Sequence, residues 1–296
     1  MNSQDGQEVP EQFPSKEANA PWQSLDVDLS AASHPGLVKE ENEDSFLVIR
    51  FGRTLESVST NLDERFLEES YNFTGYGVFV ADGMTAMTSG EVSSRIALAH
   101  LIELILNTSD WTLALNQEKD IQTVLKRMAQ RFLQIDEALR EEAKRNPTLA
   151  GMGTTLTVAG LVGSDLVIGH VGDSRAYLLR GTELRQLTTD HTLAQALIDA
   201  GVANRDDPAT RSMRHVLTAA IGSMGDRINP QIEAFKLQSG DRLLLCSDGL
   251  TEMVNDKTIA EVLSQTTSSG NACQTLVDLA LAAGGVDNIT VVVALL

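Results

Sequence analysis

Several apolar runs in this sequence carry an acid at one end. Val78-Phe79-Val80-Ala81 leads into Asp82-Gly83, Leu243-Leu244-Leu245-Cys246-Ser247 into Asp248-Gly249, and Val167-Ile168-Gly169-His170-Val171-Gly172 into Asp173. Two further runs have the opposite sense: Glu43-Asp44 precedes Ser45-Phe46-Leu47-Val48-Ile49, and Asp287-Asn288 precedes Ile289-Thr290-Val291-Val292-Val293. Each run reads as a buried strand. A single Asp-Gly is first of all a turn dipeptide; its repetition at strand ends points to something more. In a doubly wound parallel sheet, ligand groups gather where strands finish. Acids at both starts and finishes meet at one edge only if the strands run antiparallel. Gathered, they repel one another and are costly to bury. A hard divalent cation removes that cost, and oxygen ligands of this kind suit magnesium or manganese.

The elements that must position these acids can be read in order. Residues 1–24 are polar, with Pro10, Pro14, Pro21 and several acids, and read as a disordered acidic tail. Leu25-Asp26-Val27-Asp28-Leu29 alternates like a half-exposed strand, and His34-Pro35-Gly36 turns the chain. Lys39 follows, either as a solvated charge or aimed at an anion beside the acids. Residues 50–75 read as a long irregular connection between two strands. Thr88-Ser89-Gly90-Glu91 has capping-box spacing, with Val92, Ile96, Ala99, Ile102 and Leu106 at helical intervals behind it. Ile121, Leu125, Met128, Phe132, Ile135 and Leu139 mark a longer helix that Asn146-Pro147 ends.

Leu156 to Val162, Asp165 to Val171 and Arg175 to Leu179 read as strands of a meander, with a hairpin at Arg180-Gly181-Thr182. His191 is either a catalyst or, with Asp190, a helix cap and a packed ring. Residues 192–230 read as a subdomain inserted between strands and able to lie over the acidic edge. Strands resume at Ile232–Leu237 and Asp241–Ser247, and helices around Asp256–Ser264 and Ala272–Ala283 precede the last strand. Strands followed by helices, then strands again, indicate an α+β arrangement of helices on antiparallel sheets.

The 296 residues carry 23 basic and 41 acidic side chains, a net charge of −18, which argues against a nucleic-acid partner. Cys246 and Cys273 have no metal-type spacing; Cys246 lies within a strand run and reads as core, and a reducing cytosol fits. No apolar run is long enough for a membrane span, and the N-terminus has no signal-peptide pattern. A cytoplasmic monomer without membrane attachment is expected.

Together these motifs resemble the bacterial PP2C-type, metal-dependent serine/threonine protein phosphatases. The matching pieces, in the family's order, are Gly36-Leu37-Val38-Lys39-Glu40-Glu41-Asn42-Glu43-Asp44, Val80-Ala81-Asp82-Gly83-Met84, Gly151-Met152-Gly153-Thr154-Thr155, His170-Val171-Gly172-Asp173-Ser174-Arg175-Ala176-Tyr177, Leu187-Thr188-Thr189-Asp190-His191, Cys246-Ser247-Asp248-Gly249-Leu250 and Asp287-Asn288-Ile289-Thr290. The resemblance covers roughly residues 25–296. It implies a four-layer α-β-β-α sandwich, with two antiparallel sheets flanked by helix pairs and a flap at about 192–230.

It also implies roles. Asp82 bridges two Mg²⁺ or Mn²⁺ ions, and Gly83 offers its carbonyl to one. Glu43, Asp248 and Asp287 hold the second ion. Asp44 orients water from behind these ligands. Asp173, with Asp248, holds a third and weaker ion. The implied reaction is hydrolysis of phosphoserine and phosphothreonine in proteins by a metal-bridged hydroxide, opposing a serine/threonine kinase.

The sequence departs from the family at two places. Lys39 stands where arginine grips the substrate phosphate, and lysine offers a point charge in place of a planar fork. Asp82-Gly83-Met84-Thr85-Ala86-Met87 replaces the common Asp-Gly-Met-Gly-Gly-His, and Met84 stands where eukaryotic members have a histidine. These changes support an alternative: a catalytically weak relative that binds phosphoproteins or a kinase as a regulatory module. A two-metal nuclease or small-phosphoester hydrolase is a further reading, and the acidic balance speaks against the nuclease.

Overall fold

A computed structural model describes residues 27–56, 70–84, 90–107, 118–204, 207–223 and 227–296. The expected 1–24 tail and the capping residues Thr88 and Ser89 lie outside the described residues.

One sheet has the order β1-β11-β10-β7-β8, built from β1 (Asp28–His34), β11 (Ile289–Leu295), β10 (Arg242–Cys246), β7 (Arg175–Arg180) and β8 (Glu183–Gln186). The other has the order β2-β3-β5-β6-β9, from β2 (Asp44–Glu56), β3 (Ser70–Met84), β5 (Leu156–Val162), β6 (Asp165–Val171) and β9 (Gln231–Lys236), with β4 (Gly153–Thr154) paired to the end of β3. The pairings are antiparallel, as the placement of acids at both starts and finishes required.

Side-chain alternation sorts each strand between two cores. Val78 and Val80 of β3, Leu243 and Leu245 of β10, and Val292 and Ala294 of β11 meet between the sheets. Their neighbours Phe79 and Ala81 face outward under α1 (Gly90–Asn107) and α2 (Glu118–Arg145), where Met128, Phe132, Ile135 and Leu139 supply the helical stripe. On the opposite side, Leu244, Cys246, Val291 and Val293 pack beneath α6 (Asp256–Gln265) and α7 (Ser269–Ala282). The result is the expected four-layer sandwich. Cys246 is a buried core thiol, its pKa pushed up to about 12 by burial. No helix among the described residues is long and apolar enough to cross a membrane.

Two expectations are corrected. Residues 50–56 and 70–75 are not part of an irregular connection: β2 continues to Glu56 and β3 begins at Ser70, in register from Arg50↔Tyr76 to Glu56↔Ser70, and the rest of the expected connection, 57–69, lies outside the described residues. The aromatic Phe51 and Tyr76 suit long paired strands. Nor do the strands from 156 to 179 form one meander. The short segment Gly172-Asp173-Ser174 carries the chain from β6 in one sheet to β7 in the other. That crossing places Asp173 at the end of both sheets.

After β8, α3 (Leu193–Asp199) and α4 (Pro208–Arg211) form a small excursion closed by a bridge between Thr192 and Leu217. The N-cap of α3 is Thr192, whose side chain accepts from Gln195 N, and not Asp190.

Candidate metal centre

The acids at strand ends converge. Asp44 begins β2 and is the cross-strand partner of Asp82 near the end of β3. Asp248 opens α5 (Asp248–Thr251) directly after β10, and Asp287 stands just before β11. One oxygen each from Asp82, Asp173 and Asp248 lie within 4.8 Å of one another. Three carboxylates at this separation cannot all ionise cheaply without a positive charge between them.

Their titration reflects that. Burial, then the fields of Asp44, Asp248, Asp173 and Asp287, hold the Asp82 carboxyl well above the ordinary range. Burial and then Asp248 and Asp190 do the same for Asp173, and burial with Asp287 raises Asp248. Asp44 is pushed up to about 7, by burial first, against hydrogen bonds from Ser247 and Thr290 that favour its ionised form. Ser247 Oγ donates to Asp44 Oδ2 at 2.7 Å. Asp44 Oδ1 and Asp248 Oδ1 are buried without a hydrogen-bond partner among the described residues. Orphaned buried carboxylate oxygens in a crowded acidic cluster fit an oxygen-liganded divalent cation such as Mg²⁺ or Mn²⁺.

Glu43 and Asp287 stand outside this tight group. Glu43 Oε1 accepts from Gly90 N at 3.1 Å, at the start of α1, which leaves Oε2 for a ligand. A Cβ on Gly90 would lie 2.1 Å from that oxygen, and one on Gly83 only 1.9 Å from Gly90 O. The glycine after Asp82 therefore admits the backbone of α1.

Asp287 Oδ1 is 3.0 Å from Lys39 Nζ. Burial pushes the Lys39 pKa down, but the hydrogen bond and field of Asp287 and the fields of Glu43 and Asp82 outweigh it, so the pKa is raised and the ammonium retained. Lys39 thus turns toward the acids and is not simply solvated.

Sequence reasoning missed the residues that hold this edge together. Asn288 accepts from Glu43 N at 2.8 Å through Oδ1 and donates through Nδ2 to Pro35 O and Glu41 O, both at 2.9 Å, which fastens the Lys39 loop to β11. Ser247 ties Asp44 to the Asp248 turn. Both lay inside recognised motifs, so their positions carried a signal although their roles did not. His191 takes the packed-ring role: its Nδ1 accepts from Gly172 N at 3.1 Å, its backbone N–H donates to Gly172 O at 2.7 Å, and its ring stacks on buried His170. Burial and then His191 lower the His170 pKa to about 3. The pair fixes the Gly172 turn ahead of Asp173. Asp190 instead binds Arg175 through Nε at 2.9 Å and Nη2 at 2.6 Å.

Comparison with known proteins shows the family. Residues 63–283 match the family model for protein phosphatase 2C. The chain is 36% identical over 214 residues to the serine/threonine phosphatase stp of Listeria welshimeri, covering 72% of this chain and 82% of the relative. It is 36% identical over 215 residues to the serine/threonine protein phosphatase PstP of Mycobacterium tuberculosis, but that match spans 39% of the relative's length and 73% of this chain. Its fold superposes on the catalytic domain of PstP in complex with two manganese ions, with a TM-score of 0.68 and 32% identity over 90% of this chain and 97% of the other. The chain belongs to the protein phosphatase 2C family.

Proposed function

We propose that this protein hydrolyses phosphoserine and phosphothreonine in phosphoproteins at a centre of two Mg²⁺ or Mn²⁺ ions. The observation that carries the reading is the convergence of Asp82, Asp173 and Asp248 within 4.8 Å, with buried, unpartnered oxygens on Asp44 and Asp248. Asp82 and the Gly83 carbonyl would hold one ion, and Asp82, Glu43, Asp248 and Asp287 the other. Asp173, with Asp248, would hold a weaker third. When bound, the cations supply charge against the phosphoryl oxygens and an ionised water at neutral pH.

The chain's own part is to bind and orient. Ser247 holds Asp44 Oδ2, leaving Oδ1 free to accept from water at the centre. Lys39 binds a phosphoryl oxygen, exchanging its contact with Asp287 for the substrate anion. Residues 25–296 form the phosphatase domain behind the 1–24 tail, and 192–230 serve as its flap. The substrates come from a serine/threonine kinase that this cytoplasmic, monomeric enzyme opposes, with neither nucleic acid nor membrane as partner.

The Lys39–Asp287 ion pair is what favours the second reading, a weak regulatory relative, because an ammonium already occupies one acid. Turnover of p-nitrophenyl phosphate with Mn²⁺ separates the two. The enzyme exceeds its Asp82→Asn variant by orders of magnitude; equal rates in both leave only the binding module.

A further inference from the structure

A second group of potential ligands lies beside the centre and shares one acid with it. Asp248 and Glu252 stand four residues apart across α5, on one face of a single turn, with Glu252 N donating to Asp248 O at 2.9 Å. Two like charges at this spacing repel. His215 faces them from the excursion between β8 and β9, in the turn that follows α4. Its Nδ1 is in contact with Glu252 Oε1, and one ligand atom each from His215, Asp248 and Glu252 lie within 4.8 Å of one another. Asp248 Oδ1 is buried with no hydrogen-bond partner among the described residues. Asp173 is not a member of this group, and the acids of the first group bring no nitrogen.

We propose that His215, Asp248 and Glu252 form an adjacent binding site, sharing Asp248 with the acidic centre, for a borderline transition-metal ion of the Zn²⁺ class, which pins the 192–230 segment to α5. One imidazole and two carboxylates with an open fourth position suit Zn²⁺, whereas Mg²⁺ prefers oxygen ligands alone. The three ligands come from two parts of the chain: Asp248 and Glu252 are fixed on the body by α5, and His215 rides on the excursion. An ion there joins the two beside the acidic edge. The site does not depend on the phosphatase reading, because its test measures binding and not turnover.

The full chain, stripped with chelator and equilibrated with saturating Mg²⁺, is titrated calorimetrically with Zn²⁺. His215 is 59% exposed and Glu252 lies at the end of its helix, so both positions tolerate substitution. The wild type is expected to bind a Zn²⁺ ion that His215→Ala and Glu252→Gln each lose or bind at least about tenfold more weakly. A Zn²⁺ isotherm unchanged from wild type in either variant would overturn the site, as would a wild type that takes up no Zn²⁺ over Mg²⁺.

Discussion

The two ends of β10 treat a buried acid in opposite ways. At its start, Asp241 has a side chain only 1% exposed, and Arg180 meets it with Nε at 2.8 Å and Nη2 at 2.6 Å while Gln238 N donates at 2.8 Å. Burial pushes that carboxyl up, but Arg180 and the backbone donor outweigh it and its pKa ends low. At the other end, Asp248 joins Asp82 and Asp173 with no guanidinium among them, and their pKa values are raised. Arg175, two residues beyond Asp173, gives its guanidinium to Asp190. The fold thus supplies a bidentate guanidinium where the acid is structural, whereas at the acidic edge Lys39 pairs with Asp287 and leaves Asp82, Asp173 and Asp248 to a cation from solution. Only the second end gains from added metal.

The largest expected effect follows from removing that metal's seat. Asp82→Asn, Asp248→Asn and Asp287→Asn should each lower kcat at least about a hundredfold, since a ligand loss exceeds the effect of its supporting shell. Steady-state turnover of a phosphothreonine peptide measures this, and a variant with wild-type rate removes its residue from the centre. Asp173→Ala should reduce turnover less and leave two tight ions bound; loss of both in a Mn²⁺ titration would place Asp173 among the principal ligands.

Lys39 is the cation that the acidic end does carry, so it sharpens the contrast. Lys39→Ala should lower kcat/KM by about ten- to a hundredfold, as expected for a charge-assisted hydrogen bond to phosphate, with Mn²⁺ affinity nearly unchanged. Lys39→Arg should keep or raise activity, since a guanidinium adds a second donor. If both variants match the wild type on the same peptide, Lys39 serves only as a counterion to Asp287.

Stability against pH should run in opposite directions at the two ends. Asp44, Asp82, Asp173 and Asp248 have folded pKa values above their unfolded ones, so the metal-free fold holds more protons than the unfolded chain between about pH 4 and pH 7. Its stability must fall as pH rises through that window. In EDTA, Tm at pH 5.5 should exceed Tm at pH 7.5 by several degrees, and saturating Mn²⁺ should abolish the difference. Asp241 is the reverse: its stabilisation is present above the unfolded carboxylate pKa and is lost as pH falls through the lower folded one. Arg180→Ala should therefore lower Tm at pH 7 by a few degrees, with the deficit shrinking below about pH 4 and turnover unaffected. A deficit independent of pH would make Arg180 a packing residue.

Much of this architecture was legible because its signals are local. Alternation in β3, β10 and β11, the stripe from Ile121 to Leu139, and acids at both kinds of strand end are enough to imply antiparallel sheets under helices. What escaped depends on distant partners. Ser247 acts on Asp44 from 203 residues away, and Asn288 reaches Glu43 across 245. The change of sheet at Asp173 is invisible to apolar periodicity, since β6 and β7 alternate alike in either sheet. The extension of β2 and β3 to Glu56 and Ser70 was obscured because polar and charged residues interrupt the apolar runs. His215 sits in a polar segment with no period at all, and only the fold brings it to Glu252.

The central claim is that the acidic end of the sandwich is a divalent-metal centre built around Asp82. Anomalous diffraction at the manganese edge, from crystals grown with Mn²⁺, tests it most directly. The account predicts two peaks that share Asp82 as a ligand, one of them also within bonding distance of Asp248. A map with no peak bonded to Asp82, from crystals that show manganese elsewhere on the molecule, would contradict it.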